Sequence, residues 1–191
     1  ALGRIFGAEV GLGLALGLMV RVVFAGAEAF GHIASYSLGL GFATQVDPST
    51  GESSTVLARL GMLVAGMVLF VTDAHLPLLG AALETFRAWP PGRAPSVIGG
   101  GLALARSGAL VFELGLKLAA PIVAIGLMVY LVPAVITKVS PQLNLFAIGF
   151  AMLIPAGLLV LLAEVPDLVA LLIAHFEALP MRLELLLAQG A

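Results

Sequence analysis

The feature that most limits the fold is the length of the apolar segments and the scarcity of charge inside them. Residues 143–163 contain no charged side chain, and the first apolar segment runs from about 9 to 43. As one helix it would extend over ~50 Å, well beyond a hydrocarbon core of ~30 Å. Charged residues make up 10% of the chain and hydrophobic residues 61%, whereas a soluble domain carries about 25% charged residues. We therefore predict an all-α integral membrane or membrane-associated protein.

The first segment must kink, split or project from the bilayer, and Gly26 and Gly31 are its expected weak points. Two later segments, 118–137 and 143–163, have the length of a bilayer crossing. We expect prolines to interrupt the third segment (106–137, at Pro121 and Pro133) and a break to separate 143–163 from a fifth segment, 167–179.

Several function classes are disfavoured by what the sequence lacks. It contains no cysteine, so disulfides, thiolate metal sites and cysteine nucleophiles are excluded. The net charge of −2 is spread along the chain and provides no basic face for nucleic acid. No zinc-protease, nucleophile-elbow or phosphate-loop motif occurs, and Asp73 and His75, two residues apart, would point to different faces of a helix. We predict no enzyme activity, cofactor or metal.

Two patterns predict helix packing. Gly7 and Gly11, and then Gly13 and Gly17, are each four residues apart, which places small residues on helix faces where backbones can approach. The charged residues form two candidate ion pairs: Arg21 with Glu28, seven apart and on one side of a helix, and Glu113 with Lys117 in the favourable i,i+4 order. We interpret both pairs as structural neutralisation.

Four ordered motifs resemble the FliR family, a subunit of the flagellar type III export gate. They are GLGFATQVDPSTGESS (39–54), FVTDAHL (70–76, with His75), ETFRAWPPG (84–92) and PQLNLFAIGF (141–150). Upstream, Glu9-Val-Gly11 resembles the family's E-x-G helix. Ala74 and Ala151 depart from the family, which more often has glycine and proline there. In the last motif the matching residues include Gln142, Asn144, Phe146, Gly149 and Phe150.

The resemblance implies long kinked helices in hairpins that pack against sister subunits. It implies a single domain over 1–191 without the family's N-terminal segments: a hairpin over 1–87 around the 39–54 loop, a Pro/Gly linker over 88–105, and C-terminal hairpins over 106–191. The expected partners are FliP-like, FliQ-like and FlhB-like subunits, membrane lipid, and unfolded flagellar proteins as substrate. The expected location is the flagellar basal body in the bacterial inner membrane.

The resemblance also assigns roles within the 39–54 loop, which the family places inside the export channel. Phe42 matches an apolar plug residue beside Leu40, Gly39 and Gly41 let the loop bend, and Asp47-Pro48 is the turn that ends it. Gln45 departs from the pattern, because an apolar or aromatic residue is frequent there. The alternative function is a small-solute membrane transporter or channel subunit; a transporter would need ionisable residues near paired helix breaks.

Overall fold

The computed structural model of the 191-residue chain describes residues 2–40, 55–90, 101–139 and 145–190. Within those ranges the chain is all-α, as predicted, and forms no strand. We number the helices α1 (Leu2–Ser37), α2 (Val56–Val71), α3 (His75–Ala88), α4 (Gly101–Val139) and α5 (Leu145–Gly190).

The first apolar segment forms one continuous helix, α1, of 36 residues. It does not split at Gly26 or Gly31, as the sequence suggested it could, and both glycines are buried inside it. A Cβ at position 26 would lie 2.8 Å from the Cβ of Leu114 in α4. A Cβ at position 31 would collide with the backbone of Leu57 and Ala58 in α2. Neighbouring helices therefore occupy the space that a side chain would need, and these glycines serve packing.

Helix α1 lies at the centre, and the positions of its contacts give the direction of each neighbour. Helix α2 runs antiparallel to α1, because Gly31 faces Leu57 and Ala27 faces Gly61 four residues further along α2. A Cβ at position 61 would lie 2.5 Å from the carbonyl oxygen of Ala27, so the two backbones approach closely. Small residues make such an approach possible and increase the dispersion contacts between helices.

The two long C-terminal helices pack on other sides of α1. Helix α4 runs parallel to it, because contacts proceed in the same order along both chains, from Met19 with Ser107 to Ser37 with Gly126. Helix α5 runs antiparallel. Its Phe176 ring packs edge-on against Phe24 of α1 with 5.8 Å between centroids, while Gly157 lies near the end of α1.

Prolines do not divide the C-terminal half as predicted. Helix α4 continues through Pro121 and Pro133, and the expected segments 143–163 and 167–179 belong to one helix of 46 residues, α5. Three prolines lie inside α5, at positions 155, 166 and 180. A proline removes one backbone hydrogen bond, whereas leaving the helix in an apolar environment would expose several polar groups. Continuing the helix therefore costs less, and the prediction of breaks there was wrong.

Helices α2 and α3 meet at a bend of 75°. Asp73 lies in this bend with φ 53°, and its carbonyl oxygen accepts a hydrogen bond of 2.9 Å from the backbone N–H of Leu76. Pro77 occupies the first turn of α3, where its missing N–H breaks no helical hydrogen bond. Asp73 and His75 therefore lie at a helix junction and not within one continuous helix.

Among the residues that the structure describes, three helices are long and apolar enough to cross a membrane: Ile5–Ser37, Ser107–Leu131 and Ala151–Leu185. The bent pair α2–α3 adds a fourth if it is counted as one span. The most apolar window of α1 is 39% buried within the chain and that of α5 only 17%. Large apolar side chains such as Phe6, Phe112 and Leu162 are about 70% exposed. A surface of this kind suits lipid or other subunits and not water.

Replacing Gly31 by alanine tests the central helix contact. The added Cβ would collide with the α2 backbone, which cannot rotate away, so the two helices must separate at a cost of about 1–3 kcal/mol. Gly80→Ala is the matched control, because a Cβ there meets nothing within 4 Å and alanine favours a helix by roughly 0.5–1 kcal/mol. Unfolding midpoints in detergent should fall for Gly31→Ala and be equal or higher for Gly80→Ala. Equal midpoints for Gly31→Ala and the parent would contradict the contact.

Candidate functional site

The candidate site is the place where the two ends of segment 41–54 join the helices. We call it the loop base. It comprises two residues directly after α1, one directly before α2, and three glycines that pack at these junctions: Leu38, Gly39, Thr55, Gly31, Gly126 and Gly157. None of the six residues is charged, so packing and backbone hydrogen bonds determine the geometry.

The first end of the loop base is the C-terminus of α1. The backbone N–H of Leu38 donates to the carbonyl of Ala34 at 3.0 Å, which continues the helical pattern by one residue. The N–H of Gly39 then donates to the carbonyl of Tyr36 at 3.1 Å, and Gly39 adopts φ 73°. This left-handed conformation costs glycine little and terminates helices, so the chain turns away from the α1 axis at Gly39.

Two glycines of α4 and α5 enclose this end. A Cβ at position 126 would lie 3.1 Å from the carbonyl oxygen of Ser37, so α4 approaches the α1 backbone directly. A Cβ at position 157 would overlap Cδ2 of Leu38 and lie 2.9 Å from its Cγ. Leu38 is 0% exposed. Its side chain therefore fills the space that Gly157 leaves open on α5.

The second end of the loop base is Thr55, the residue before α2. It is buried, has an extended backbone, and its hydroxyl oxygen accepts a hydrogen bond of 3.4 Å from the N–H of Ala58. A threonine in this position satisfies one of the free N–H groups at a helix start. Because Leu57 and Ala58 rest on Gly31, the chain rejoins α1 about two turns, or ~10 Å, before Leu38.

Some of the plug residues inferred from the family resemblance lie within the described ranges and the others lie outside them. Gly39 is buried at the turn just described, and Leu40 is half-buried and packs against the hydrophobic core. Five further residues lie outside the described ranges: Gly41, Phe42, Gln45, Asp47 and Pro48.

The glycines predicted to pack helices behave differently along α1. A Cβ at Gly7, Gly13 or Gly17 would meet nothing within 4 Å. All three are exposed, whereas Glu9 and Gly11 are half-buried. The N-terminal part of α1 thus presents an open small-residue face, while the glycines that bring helices of this chain together, such as Gly31 and Gly61, lie further along or in other helices.

The remaining family-motif residues are dispersed. His75 is half-buried beside Phe70, with ring centroids 5.1 Å apart, and its Nδ1 has no hydrogen-bond partner among the described residues. Gly149 is buried in α5. For Phe146 and Phe150 the structure describes only their place in that helix, and Gln142 and Asn144 lie outside the described ranges.

Both predicted ion pairs form. Arg21 Nη2 lies 2.9 Å from Glu28 Oε2, and Lys117 Nζ lies 2.6 Å from Glu113 Oε1. All four side chains are at least partly exposed, so each pair neutralises charge on a helix surface. An open groove of about 440 Å³ lies between α4 and α5, and its lining includes Lys117, Glu164 and Asp167. No three His, Asp or Glu side chains in the described part of the chain are placed to hold a metal ion.

Sequence reasoning missed four residues of the loop base: Leu38, Thr55, Gly126 and Gly157. Thr55, directly before the apolar run of α2, carried a recognisable helix-start signal. The two glycines carried none, because glycine is frequent in membrane helices and only the folded chain shows which glycines face a neighbour. Leu38 resembles every other apolar residue of α1.

Comparison with known proteins gives one family match. The model of the family described as bacterial export proteins, family 1, matches residues 1–179. A relative from Escherichia coli K12, named flagellar biosynthetic protein FliR, is 33% identical over 158 residues, which cover 83% of this chain and 60% of the relative. Two more relatives have the same name. The one from Pectobacterium carotovorum is 33% identical over 153 residues, which cover 80% of this chain and 59% of the relative. The one from Bacillus subtilis is 26% identical over 157 residues, which cover 81% of this chain and 61% of the relative. The chain therefore spans about 60% of these relatives.

Proposed function

Because this chain belongs to the bacterial export proteins, family 1, we propose that it is a subunit of the flagellar type III protein export gate. In this role it helps to form and close the channel through which unfolded flagellar proteins pass. The observation that carries the proposal is the family match over residues 1–179, joined to relatives named for flagellar biosynthesis. The loop base supports the proposed role in closing the channel, because it holds the two ends of the proposed closing segment.

The proposed closing element is segment 39–54. Its first half, GLGFATQV, is small and apolar in sequence, and its second half, DPSTGESS, consists of polar and turn-forming residue types. A constriction that passes an unfolded chain but holds back ions is best made of apolar, glycine-jointed residues, since charged side chains would bind the passing polypeptide. In this role Phe42 closes the channel, Gly39 and Gly41 allow bending, and Asp47-Pro48 ends the loop. Gln45 weakens the seal.

The proposed partners are FliP-like, FliQ-like and FlhB-like subunits in the bacterial inner membrane, at the flagellar basal body. The open face at Gly7, Gly13 and Gly17 supports this, because a Cβ at each meets no other residue within 4 Å. Exposed Phe6 and Leu14 flank these glycines. A face of this composition allows another helix to approach closely in a bilayer, where apolar side chains alone give little preference for a partner over lipid.

A gate subunit needs no catalytic centre, and we propose that the chain is not an enzyme. The four charged residues of the two ion pairs neutralise each other on helix surfaces, with N–O distances of 2.9 and 2.6 Å. A small-solute transporter would instead gather ionisable groups at a site inside the span. Nothing in the described residues favours that alternative.

The seal is tested by Phe42→Ala, or by a deletion within Gly39–Ala43, in the complete gate. Loss of the Phe42 side chain, or of the apolar residues around it, should make the closed assembly leak ions. Water and ions enter a constriction that is no longer filled by apolar groups. Phe86→Ala is the control, an exposed phenylalanine of α3. Ion flux is measured across a bilayer containing the purified assembly. A gate that remains ion-tight after the deletion would contradict the plug role.

The partner face is tested by co-purification with FliP-like and FliQ-like subunits. Gly13→Leu should reduce their recovery, because the new side chain prevents close approach on a face that is open within this chain. Gly80→Leu is the matched control, also without neighbours within 4 Å but on α3. Equal recovery with both variants would remove the face from the interface. A parent chain that stays monomeric and well folded beside these subunits would contradict the assembly role.

A further inference from the structure

The end of α1 combines a tightly packed residue with a conformationally free one. Leu38 is 0% exposed, whereas the next residue, Gly39, has φ 73°, a conformation open to glycine at little cost. The last fully buried large side chain of this segment therefore directly precedes the residue whose backbone can turn, and Leu40 beyond it is only half-buried against the core. Nothing in the family motifs singles out Leu38, because they begin at Gly39.

The space that holds Leu38 depends on missing side chains on two other helices. Any Cβ at position 157 of α5 would overlap the Leu38 side chain, and a Cβ at position 126 of α4 would press on the Ser37 carbonyl at 3.1 Å. Two independent glycine contacts thus converge on consecutive residues of α1. The Ser37 hydroxyl also donates to the Ile33 carbonyl at 2.8 Å, which keeps this last turn closed.

The other end of the loop is held by equally close contacts. Thr55 is 2% exposed, and the α2 backbone at Leu57 and Ala58 rests directly on Gly31. The contact at Gly31 is formed with α1, the helix that Leu38 directly follows. The first end of the loop is held where α4 and α5 pack at the end of α1, and the second end is held where α2 packs on α1. Both ends are therefore fixed relative to the same group of helices.

We propose that Leu38 is a positioning residue that anchors the export-gate loop and stays seated against Gly157 in both the closed and the conducting gate. The anchor determines where the chain leaves the helices at Gly39, and hence where the loop begins. Removing a fully buried leucine from its site is unfavourable, while a change of backbone angle at Gly39 costs little. Any movement of the loop thus begins after Leu38. This inference rests on the proposed gate function.

Size variants at position 38 test the anchor in the complete gate. Leu38→Ala should raise the fraction of assemblies with an unseated residue 38 by about 30-fold or more, and the closed gate should leak ions. Leu38→Met retains the side-chain volume and should keep the seal. Leu172→Ala is the matched control, a leucine of α5 that is also 0% exposed and lies 15 residues, or ~22 Å, beyond Gly157. It should lower stability without a leak.

The outcomes separate the anchor from the gate itself. A leak with Phe42→Ala but not with Leu38→Ala would overturn the anchor and leave the gate role intact. Equal leaks from Leu38→Ala and Leu172→Ala would mean that any core defect opens the gate, which also overturns a positioning role. No leak from any variant, Phe42→Ala included, would refute both proposals. Partner recovery by co-purification confirms that each variant assembles.

A reversible cross-link tests whether Leu38 stays in place during export. These 191 residues contain no cysteine, so in a Leu38→Cys/Gly157→Cys variant the two introduced thiols are the only ones among them. A Cβ at position 157 lies 2.9 Å from Leu38 Cγ. Because Leu38 Cβ is one bond of ~1.5 Å from Cγ, the two Cβ atoms are at most ~4.4 Å apart, within disulfide reach. The oxidised gate should be ion-tight and should export at the rate measured after reduction. Export that stops on oxidation and returns on reduction would show that the end of α1 moves, and would overturn the fixed anchor.

Discussion

The backbone contact of α1 with α2, at Gly31 and Gly61, is the interaction on which the rest of the structure depends. Between apolar helices surrounded by lipid, burying another leucine gains little, because lipid tails are as apolar as leucine. Close approach of two backbones gains dispersion contacts that lipid cannot supply. Because both glycines face backbone atoms of the partner helix, α1 and α2 form a tight antiparallel pair. The same use of missing side chains recurs where α4 and α5 meet the end of α1.

This arrangement explains how a chain with so few polar contacts can hold a loop in a defined place. The loop base contains no ion pair and only one side-chain hydrogen bond among its described residues, from Ala58 to Thr55. The loop base is held together by complementary packing. Leu38 fills the space opposite Gly157, and Leu57 and Ala58 pack on Gly31. Apolar packing of this kind suits a segment beside a channel, where a charged support would attract ions or the exported chain.

The sequence predicted the class of the fold better than its internal boundaries. Scarce charge and long apolar segments indicated an all-α membrane protein, and helical spacing located both ion pairs, with Arg21 next to Glu28 and Glu113 next to Lys117. The breaks predicted at Pro121 and Pro133 and between 163 and 167 were wrong, since α4 and α5 each continue through those positions. Local propensity favours a break at proline, but an apolar environment penalises unpaired backbone groups more strongly.

The candidate site was predicted in part. The motif at 39–54 pointed to the junction between α1 and α2, because an apolar glycine-rich half next to polar, turn-forming residue types is unusual between two helices. Its supports were not predictable, because Gly126 and Gly157 lie about 90 and 120 residues away from it in sequence, and in a chain with 23 glycines only the tertiary structure identifies the ones in contact. A similar limit applies to Leu38, whose importance comes from a neighbour and not from its own chemistry.

The central claim is that the loop beginning at Gly39 lies in the path of the exported protein. The most direct measurement places a photo-reactive amino acid at position 42 and cross-links a gate in which an export substrate has been stalled. The account predicts adducts between position 42 and the substrate, and none from position 83 of α3, an exposed leucine far along the chain from the loop base. Adducts from position 42 to lipid or sister subunits alone, with a substrate present in the channel, would contradict it.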